Sequence, residues 1–274
     1  MQSLKGKTII ITGGSRGIGR EIALRCAKDG ANLVIAAKSA TEHKHLDGTI
    51  FSVAKEVEAA GGKALPIQVD VRDPEQVAAM AAEAAKTFGG IDALINNAGA
   101  IRLTNVENTE IKRFDLMSQV NSRAVLVCSQ AVLPYLKKSE NPHIISLSPP
   151  LDMDPRWFKN HAPYTITKYG MSMLSIGMAE EFRSKGIAVN TLWPRTIIAT
   201  AAIEFELGGR RAFDRARTPA IMADAAWEIL RSENLELTGR TLIDETLLRE
   251  RGVTDFDCYR YNPDGGELMP DLFV

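Results

Sequence analysis

Short runs of apolar, largely β-branched residues alternate with longer segments of helical length along most of the chain. Continuous apolar runs are typical of strands that are covered on both faces. Strands that alternate with helices indicate βαβ units and a parallel sheet. Seven runs qualify as strands, at residues 8–12, 33–37, 64–69, 93–95, 143–147, 188–192 and 241–243. The pattern therefore predicts an α/β fold with a doubly wound parallel sheet of about seven strands, flanked by helices.

The segments between these runs carry helix signals. The Ala-rich segment 75–88 follows Asp73 and Pro74, which are typical of an N-cap and of a first helical residue. No repeat, low-complexity linker or block of charge divides the chain. We therefore expect one domain over residues 1–274, with an irregular excursion at about 200–218 and an irregular tail at about 252–274.

Composition and charge narrow the classes of protein that fit. Of the 274 residues, 45% are hydrophobic and 24% are charged, as in soluble globular chains. With 33 Lys and Arg against 34 Asp and Glu, the chain lacks the charge of a polybasic nucleic-acid binder. The cysteines are few and widely spaced, no apolar run has membrane length, and no signal-peptide pattern opens the chain. We expect a cytoplasmic protein whose partners include neither nucleic acid nor a membrane.

Two clusters of basic side chains allow more than one interpretation. His43 and His45 flank Lys44, but no carboxylate or cysteine joins them at ligand spacing, so a solvated loop without a metal is expected. The second cluster lies in the excursion, where a solvated helix face is the first interpretation. Attraction of an anionic substrate or of a phosphate-bearing carrier is the alternative. This cluster consists of Arg210, Arg211, Arg215 and Arg217.

A glycine-rich turn follows the first candidate strand and precedes a helical segment at 21–27. Its glycines permit a tight turn, a close approach of the backbone to a pyrophosphate and close packing of the helix on the strand. The helix N-terminus then presents free N–H groups and a positive dipole end to phosphates. The turn in this position predicts a nucleotide-binding site of the Rossmann type. Its candidate cofactor-binding residues are Gly13, Ser15, Arg16, Gly17, Ile18 and Gly19.

Four further elements make the chain resemble the short-chain dehydrogenase/reductase family. Each of them falls in its expected place relative to the candidate strands, which makes the combination specific. The resemblance covers the chain from its start to about Pro194 and implies an oxidoreductase that uses a nicotinamide cofactor. The elements are Asn96-Asn97-Ala98-Gly99, Asp70 at the end of the third strand, Asn121, and the pair Tyr164 and Lys168.

Tyr164 and Lys168 are four residues apart, so on a helix their side chains share one face, about 6 Å apart. Positive charge from Lys168 and from an oxidised nicotinamide ring favours the phenolate, so a lowered pKa is expected for Tyr164. Tyr164 then moves the proton of an alcohol or carbonyl oxygen. The resemblance implies that Lys168 also binds the cofactor ribose and that Asn121 holds a water of the proton relay. The alternative is a chance amphipathic pair.

The resemblance also assigns residues to the cofactor. It places the Asp70 carboxylate at the adenine amino group, and the alternative is that Asp70 caps the next turn. It implies that Asn97, Gly99 and Pro194 line the cofactor, with bracing of the backbone as the alternative role of Asn97.

The end of the second candidate strand predicts a preference for NADP(H) over NAD(H). Dinucleotide folds that prefer NAD usually place a carboxylate there, facing the ribose hydroxyls. Here the chain reads Ala36-Ala37-Lys38-Ser39, and no acid follows before Glu42. Lys38 and Arg16 supply two cations that can neutralise a 2′-phosphate, and Ser39 can donate to it.

The substrate side departs from the family pattern. Aligning the run 143–147 with the family's strand puts Pro149 where the resemblance places a catalytic serine. A proline has neither an N–H nor a hydroxyl, so it cannot polarise a carbonyl. We expect the neighbouring Ser148 to supply the hydrogen bond to the substrate oxygen, because a proline pushes its predecessor toward extended geometry. The alternative is that Ser148 points away and satisfies local backbone.

Two functions follow from these residues. The first is an NADP-dependent oxidoreductase that interconverts an alcohol and a carbonyl on an apolar small-molecule substrate. The second is a catalytically weak or inactive nucleotide-binding protein of the same fold, which acts as a sensor or scaffold. The resemblance further implies a homodimer or homotetramer built from the helical stretches 121–136 and 164–182, the second of which carries more apolar residues than one helix contact needs.

Overall fold

A computed structural model describes residues 2–41, 48–206, 209–233 and 235–274. Its centre is a parallel sheet of seven strands in the order β3-β2-β1-β4-β5-β6-β7. The order reverses between β1 and β4, and ligands of such sheets bind in the crevice at this switch point. The strands are β1 Thr8–Thr12, β2 Asn32–Ala37, β3 Lys63–Gln68, β4 Ala93–Asn96, β5 His143–Ser146, β6 Ala188–Trp193 and β7 Thr241–Ile243.

Helices cover both faces of this sheet, which confirms the predicted doubly wound α/β fold. Within β1, Ile9 and Ile11 pack with residues of α1, α2, α8 and α9, whereas Ile10 packs with residues of α3, α5 and α6. The alternation follows from the two-residue period of a strand. The helices are α1 Gly17–Ala27, α2 Ile50–Ala59, α3 Pro74–Phe88, α4 Ile111–Ser118, α5 Ala124–Leu136, α6 Ala162–Phe182, α7 Ala201–Glu206, α8 Ala220–Arg231 and α9 Asp244–Glu250.

Local capping chemistry sets the limits of α3 as predicted. The Asp73 side chain accepts hydrogen bonds from the backbone N–H groups of Glu75 and Gln76, and Pro74 is the first helical residue. Gly89 ends the helix with a φ of 90°, a left-handed conformation that glycine adopts without strain. The short signal Asp-Pro therefore acts as it does in isolated helices.

A single turn of π-helix, Gln119–Arg123, joins α4 to α5. The helical stretch predicted at 121–136 is thus the second part of a longer, irregular helix. Such turns leave backbone carbonyls without their usual partners and occur often at functional sites. This one carries Asn121.

The excursion contains α7 and a short 3₁₀ segment, Arg210–Arg215. The tail is attached to the segment after β6, where the Asp271 N–H donates to the Arg195 carbonyl. Arg217 corrects one expectation about the basic cluster, because its side chain is buried and pairs with the Glu245 carboxylate at 2.6 Å. Arg210 is exposed and pairs with Glu204 at 2.8 Å. The cluster is therefore not one uniformly solvated face.

Candidate active site

A cavity of about 780 Å³ opens at the carboxyl edge of the sheet, at the switch point. Pockets of this size and position are typical ligand sites. All but two of the residues predicted to form the site line it, and the exceptions are Gly19 and Ser148. The lining residues are Gly13, Ser15, Arg16, Gly17, Ile18, Lys38, Asp70, Asn97, Gly99, Asn121, Tyr164, Lys168 and Pro194.

The glycine turn forms a cradle that side chains would fill. A Cβ on Gly13, whose φ is 67°, would lie 2.9 Å from the Ala98 Cα. A Cβ on Gly19 would lie 2.5 Å from the Asn97 Nδ2 and 2.6 Å from the Gly13 oxygen, so Gly19 packs against the turn itself. Asn97 donates from Nδ2 to the backbone oxygens of Thr12 and Gly13 at 2.9 and 3.0 Å. Asn97 thus braces the turn as well as lining the cavity, and the cradle fits a pyrophosphate at the N-terminus of α1.

The Asp70 carboxylate lines the cavity and also caps the turn that follows it, because its Oδ1 accepts from the Arg72 backbone N–H at 3.0 Å. The Arg72 guanidinium forms a bidentate ion pair with the Asp70 carboxylate, with the Nη2 2.6 Å from the Oδ2. The Lys38 Nζ lies 3.3 Å from the same oxygen. Hydrogen bonds from Arg72 hold the pKa of Asp70 well below its usual range. Arg72 lines the cavity and was not predicted from the sequence. Its position two residues after Asp70, at the end of a strand, is the signal that could have indicated this ion pair. Arg16 donates to the Gly48 carbonyl at 2.9 Å.

Tyr164 and Lys168 lie in the first half of α6, and both side chains are buried. The Lys168 Nζ donates to the Leu147 carbonyl oxygen at 2.5 Å and lies 4.9 Å from the centre of the Trp193 ring. Burial lowers the pKa of Lys168 to about 7. Burial, and to a smaller extent the charge of Asp271, raise the pKa of Tyr164 far above its ordinary value. The lowered pKa predicted from the sequence requires an oxidised nicotinamide ring beside Tyr164 as well as Lys168, so it stays a prediction.

Asn121 is fully buried and all of its side-chain contacts are local to the site. Its Oδ1 accepts from the Ala100 N–H, and its Nδ2 donates to the Ala100 oxygen and to the Thr167 Oγ1, each at 2.9 Å. The amide therefore fastens the loop after β4 to the helix that carries Tyr164. Both protons of the Asn121 Nδ2 are therefore used within the protein. A water held by Asn121 stays a prediction.

Ser148 does not reach the cavity, and this corrects the prediction that it polarises the substrate. Its side chain is fully buried and its Oγ has no hydrogen-bond partner among the described residues. β5 ends at Ser146, whose Oγ accepts from Ser175 of α6 at 2.9 Å. The two-residue alternation turns Ser148 toward the same side and leaves Leu147 to line the cavity.

The C-terminal segment contributes residues that the sequence analysis did not assign to the site. Asp271 and Leu272 line the cavity. The Leu272 carbonyl accepts from the Trp193 Nε1 at 2.8 Å, and the buried Phe273 ring packs 6.4 Å from that of Tyr164. The signal for this in the sequence is the apolar run Leu272-Phe273-Val274, which follows a polar segment and indicates that the run is buried.

The sequence model of the family described as short chain dehydrogenase matches residues 7–206 of this chain. The chain belongs to the short-chain dehydrogenase family. The resemblance predicted from the sequence is thereby confirmed, and the matched range includes the glycine turn, the Asn96–Gly99 motif, Tyr164 and Lys168.

Relatives in this family share most of the chain. Hydroxysteroid dehydrogenase-like protein 2 of Xenopus tropicalis is 55% identical over 271 residues, which are 99% of this chain and 64% of that protein. The chain thus spans less than two thirds of that relative.

Solved structures of the short-chain dehydrogenase family superimpose closely. A short chain dehydrogenase of Mycobacterium thermoresistibile is 50% identical with a TM-score of 0.93, over 99% of this chain and 96% of that one. A Burkholderia cenocepacia short chain dehydrogenase in complex with NADP is 29% identical with a TM-score of 0.74, over 88% of this chain and 97% of that one.

Two absences hold for the described ranges of this short-chain dehydrogenase. No group of three or more His, Cys, Asp or Glu side chains there is arranged to hold a metal ion. His43 and His45 lie outside those ranges. None of the helices in the same ranges combines the length and the hydropathy that crossing a membrane requires.

Proposed function

We propose that this protein is an NADP-dependent oxidoreductase that interconverts an alcohol and a carbonyl, with Tyr164 as the acid and base. The observation that carries the proposal is one shared cavity. The glycine turn lines one part of it, and Tyr164 and Lys168 line another. A phosphate cradle and a proton-transfer pair facing the same space are what a hydride-transfer enzyme needs.

The nicotinamide ring, when bound, supplies or accepts the hydride. The chain's own residues supply position and the proton. The turn and the N-terminus of α1 hold the phosphates, and the Lys168 ammonium, fixed by Leu147, places a positive charge near Tyr164. The Tyr164 Oη takes the alcohol proton during oxidation and returns a proton to the carbonyl oxygen during reduction. Because burial and the charge of Asp271 both raise the pKa of Tyr164, a nearby positive charge is required for the oxidative direction.

Preference for NADP(H) is supported by the cations around the cavity. Lys38 and Arg16 both line it, and no acid stands at the end of β2. The ion pair with Asp70 holds the Lys38 Nζ beside the cavity. The Burkholderia cenocepacia relative was solved in complex with NADP.

An apolar substrate fits the opposite part of the cavity. Ile101, Ile203, Phe213 and Leu272 are among its lining residues, and the charged side chains of Glu204, Arg210 and Asp271 also line the cavity. The cytoplasmic location stays a prediction. The expectation that the protein binds neither nucleic acid nor a membrane also stays a prediction.

The test compares the wild-type protein with Tyr164→Phe on a panel of aldehydes, ketones and alcohols with NADPH or NADP. Loss of the phenol should lower kcat by about 10²–10⁴, because the proton-transfer group is removed, while the dissociation constant for NADPH stays within a few fold. Tyr261→Phe, at an exposed tyrosine, is the matched control. Equal turnover by Tyr164→Phe and wild type would refute the assignment.

One observation favours the second candidate, a nucleotide-binding sensor or scaffold of low activity. The serine donor is absent at Pro149, and Ser148 lies outside the cavity. Tight NADPH binding by wild type without turnover of any compound in the panel would support this function instead.

We further infer self-association through the outer faces of α5 and α6. Within α6, Met171 and Met178 are buried in the core, whereas Met173 and Ile176 are 56% and 40% exposed. Leu126 of α5 is 41% exposed. These apolar side chains form a surface that a second subunit would cover, in a homodimer or a homotetramer.

A further inference from the structure

The Tyr164 end of the cavity has few side-chain donors to spare for a substrate oxygen. The Asn121 amide bonds Ala100 and Thr167, and the Trp193 indole N–H bonds Leu272. Ser148 is buried outside the cavity, as described above. Asp271 also lines the cavity, where its carboxyl acts electrostatically on Tyr164 and Lys168 and its Oδ1 accepts from the Leu272 N–H at 2.6 Å.

Backbone contacts hold Asp271 in this place. Its N–H donates to the Arg195 carbonyl at 3.2 Å, and the preceding Pro270 forms a β-bridge with Thr196. The segment that carries Asp271 is therefore attached to the loop after β6, at the carboxyl edge of the sheet.

Aromatic packing anchors the same segment from the other side. The Phe273 ring is 2% exposed and lies 5.3 Å from the Tyr169 ring and 5.6 Å from the Trp157 ring. Phe273 also adopts a φ of 73°, a left-handed conformation that a side chain this large keeps only where the surroundings impose it. The position of Asp271 is thus set by packing and is not that of a loose tail.

The charged groups around Asp271 come from three elements. Tyr164 and Lys168 face it from α6, and Asp244 faces it from the start of α9. Arg195 contributes its backbone carbonyl, and its side chain is exposed. His161 packs against the Phe273 ring at 6.1 Å.

Burial is the largest influence on the protonation of Asp271. Burial, and to a smaller extent the Asp244 carboxylate, raise the pKa of Asp271 to about 7, against the opposing effects of the Leu272 N–H and Lys168. A substantial fraction of Asp271 is therefore neutral near pH 7 and carries an O–H that can donate a hydrogen bond.

We propose that Asp271 is a further catalytic residue, whose protonated carboxyl donates a hydrogen bond to the substrate oxygen beside Tyr164. This inference rests on the proposed oxidoreductase function. During reduction, the carbonyl carbon accepts the hydride, and negative charge develops on the oxygen. Tyr164 delivers the proton to that oxygen, and the Asp271 O–H stabilises the developing charge while keeping its own proton. A carboxylic acid kept neutral by an apolar site performs this task in other enzymes.

Two substitutions separate donation from a merely structural role. Asp271→Ala removes the donor and should lower kcat for reduction of the aldehyde and ketone panel by about 10²–10³, the usual effect of losing one preorganised donor. Asp271→Asn keeps an N–H donor of similar size and should retain activity within about tenfold. Asp264→Ala, at an exposed acid of the same tail, is the control and should behave as wild type.

The pH profile provides a second criterion. Wild-type kcat for reduction should fall as the pH rises through about 7, because the carboxyl loses its proton. Asp271→Asn should show a shallower decrease than wild type, because its amide does not titrate and only Lys168, whose pKa is also about 7, still loses a proton in this range. Wild-type turnover by Asp271→Ala, or an unchanged pH profile in Asp271→Asn, would overturn the proposal.

A measurement without substrate keeps this inference distinct from the proposed function. Infrared spectra at about pH 6 should show the C=O stretch of a protonated carboxyl, which disappears at about pH 9 and in Asp271→Asn. The absence of an Asp271-dependent band would overturn the proposal even if the protein reduces carbonyls. A band that is present in a protein without turnover would support a neutral Asp271 and refute the oxidoreductase function alone.

Discussion

The Lys168 ammonium donates to the backbone carbonyl of Leu147 at 2.5 Å and so ties α6 to the end of β5. This bond places the cation between the sheet edge and Tyr164, in a buried position where the charged form is costly. The lowered pKa of about 7 is the consequence. Function and stability therefore make opposite demands on Lys168.

Substituting Lys168→Met should make the protein more stable and less active. Between pH 7 and 10.5 the unfolded chain holds a proton at this residue that the folded chain has lost. Wild-type stability should therefore rise with pH across this window, by at most about 1.4 kcal/mol per unit from this group. The stability advantage of Lys168→Met should be largest at about pH 7 and shrink toward pH 10.5.

Denaturant titrations of both proteins at several pH values measure this difference, with Lys159→Met at an exposed lysine as control. A difference that does not vary with pH would contradict a buried, titrating Lys168.

Lys38→Ala should weaken the binding of NADPH and leave that of NADH nearly unchanged. The reason is that only NADPH carries the 2′-phosphate, and a hydrogen bond to a charged group contributes about 1.5–3 kcal/mol. The dissociation constant for NADPH should rise by roughly 10–100-fold. Fluorescence titration with each cofactor measures it, and Lys63→Ala, an exposed lysine at the start of β3, serves as control. An equal rise in the dissociation constants for NADPH and NADH would show that Lys38 does not bind the 2′-phosphate.

Gly19→Ala should destabilise the protein and weaken cofactor binding. The added Cβ would lie 2.5 Å from the Asn97 Nδ2 and 2.6 Å from the Gly13 oxygen, so the turn must shift. Overpacking of this kind costs about 1–3 kcal/mol. Gly90→Ala, in the segment between α3 and β4, is the control, because nothing lies within 4 Å of its added Cβ. The control should unfold within about 1 kcal/mol of wild type.

Thermal unfolding and NADPH titration of the two glycine variants check this pair. Full cofactor affinity in Gly19→Ala would mean that the glycine turn does not form the cofactor cradle.

Light scattering at micromolar concentration should give a mass at least twice that of one 29.9 kDa chain. The double variant Met173→Asp and Ile176→Asp should reduce the mass to that of a monomer, because charged side chains would be buried at the interface. Val106→Asp, at a residue that is 73% exposed elsewhere, should leave the mass unchanged. A wild-type monomer would refute the proposed association.

The sequence by itself determined the strands of the sheet and the residues of the glycine turn that line the cavity. The strand β1, the cap at Asp73 and the turn from Gly13 to Gly19 were all readable, because their signals lie within a few consecutive residues. Backbone conformation, capping and alternation act over that same short range, so no tertiary information was needed.

Only the tertiary structure decided the substrate half. The sequence placed Ser148 near the chemistry, but the end of β5 turned it away and left Leu147 in its place. It could not show that Asp271, far along the chain, would return beside Tyr164, nor that Arg217 would be buried with Glu245. Contacts between distant segments and the burial that shifts the pKa of Tyr164 depend on what covers each group. That covering exists only once the whole chain has packed.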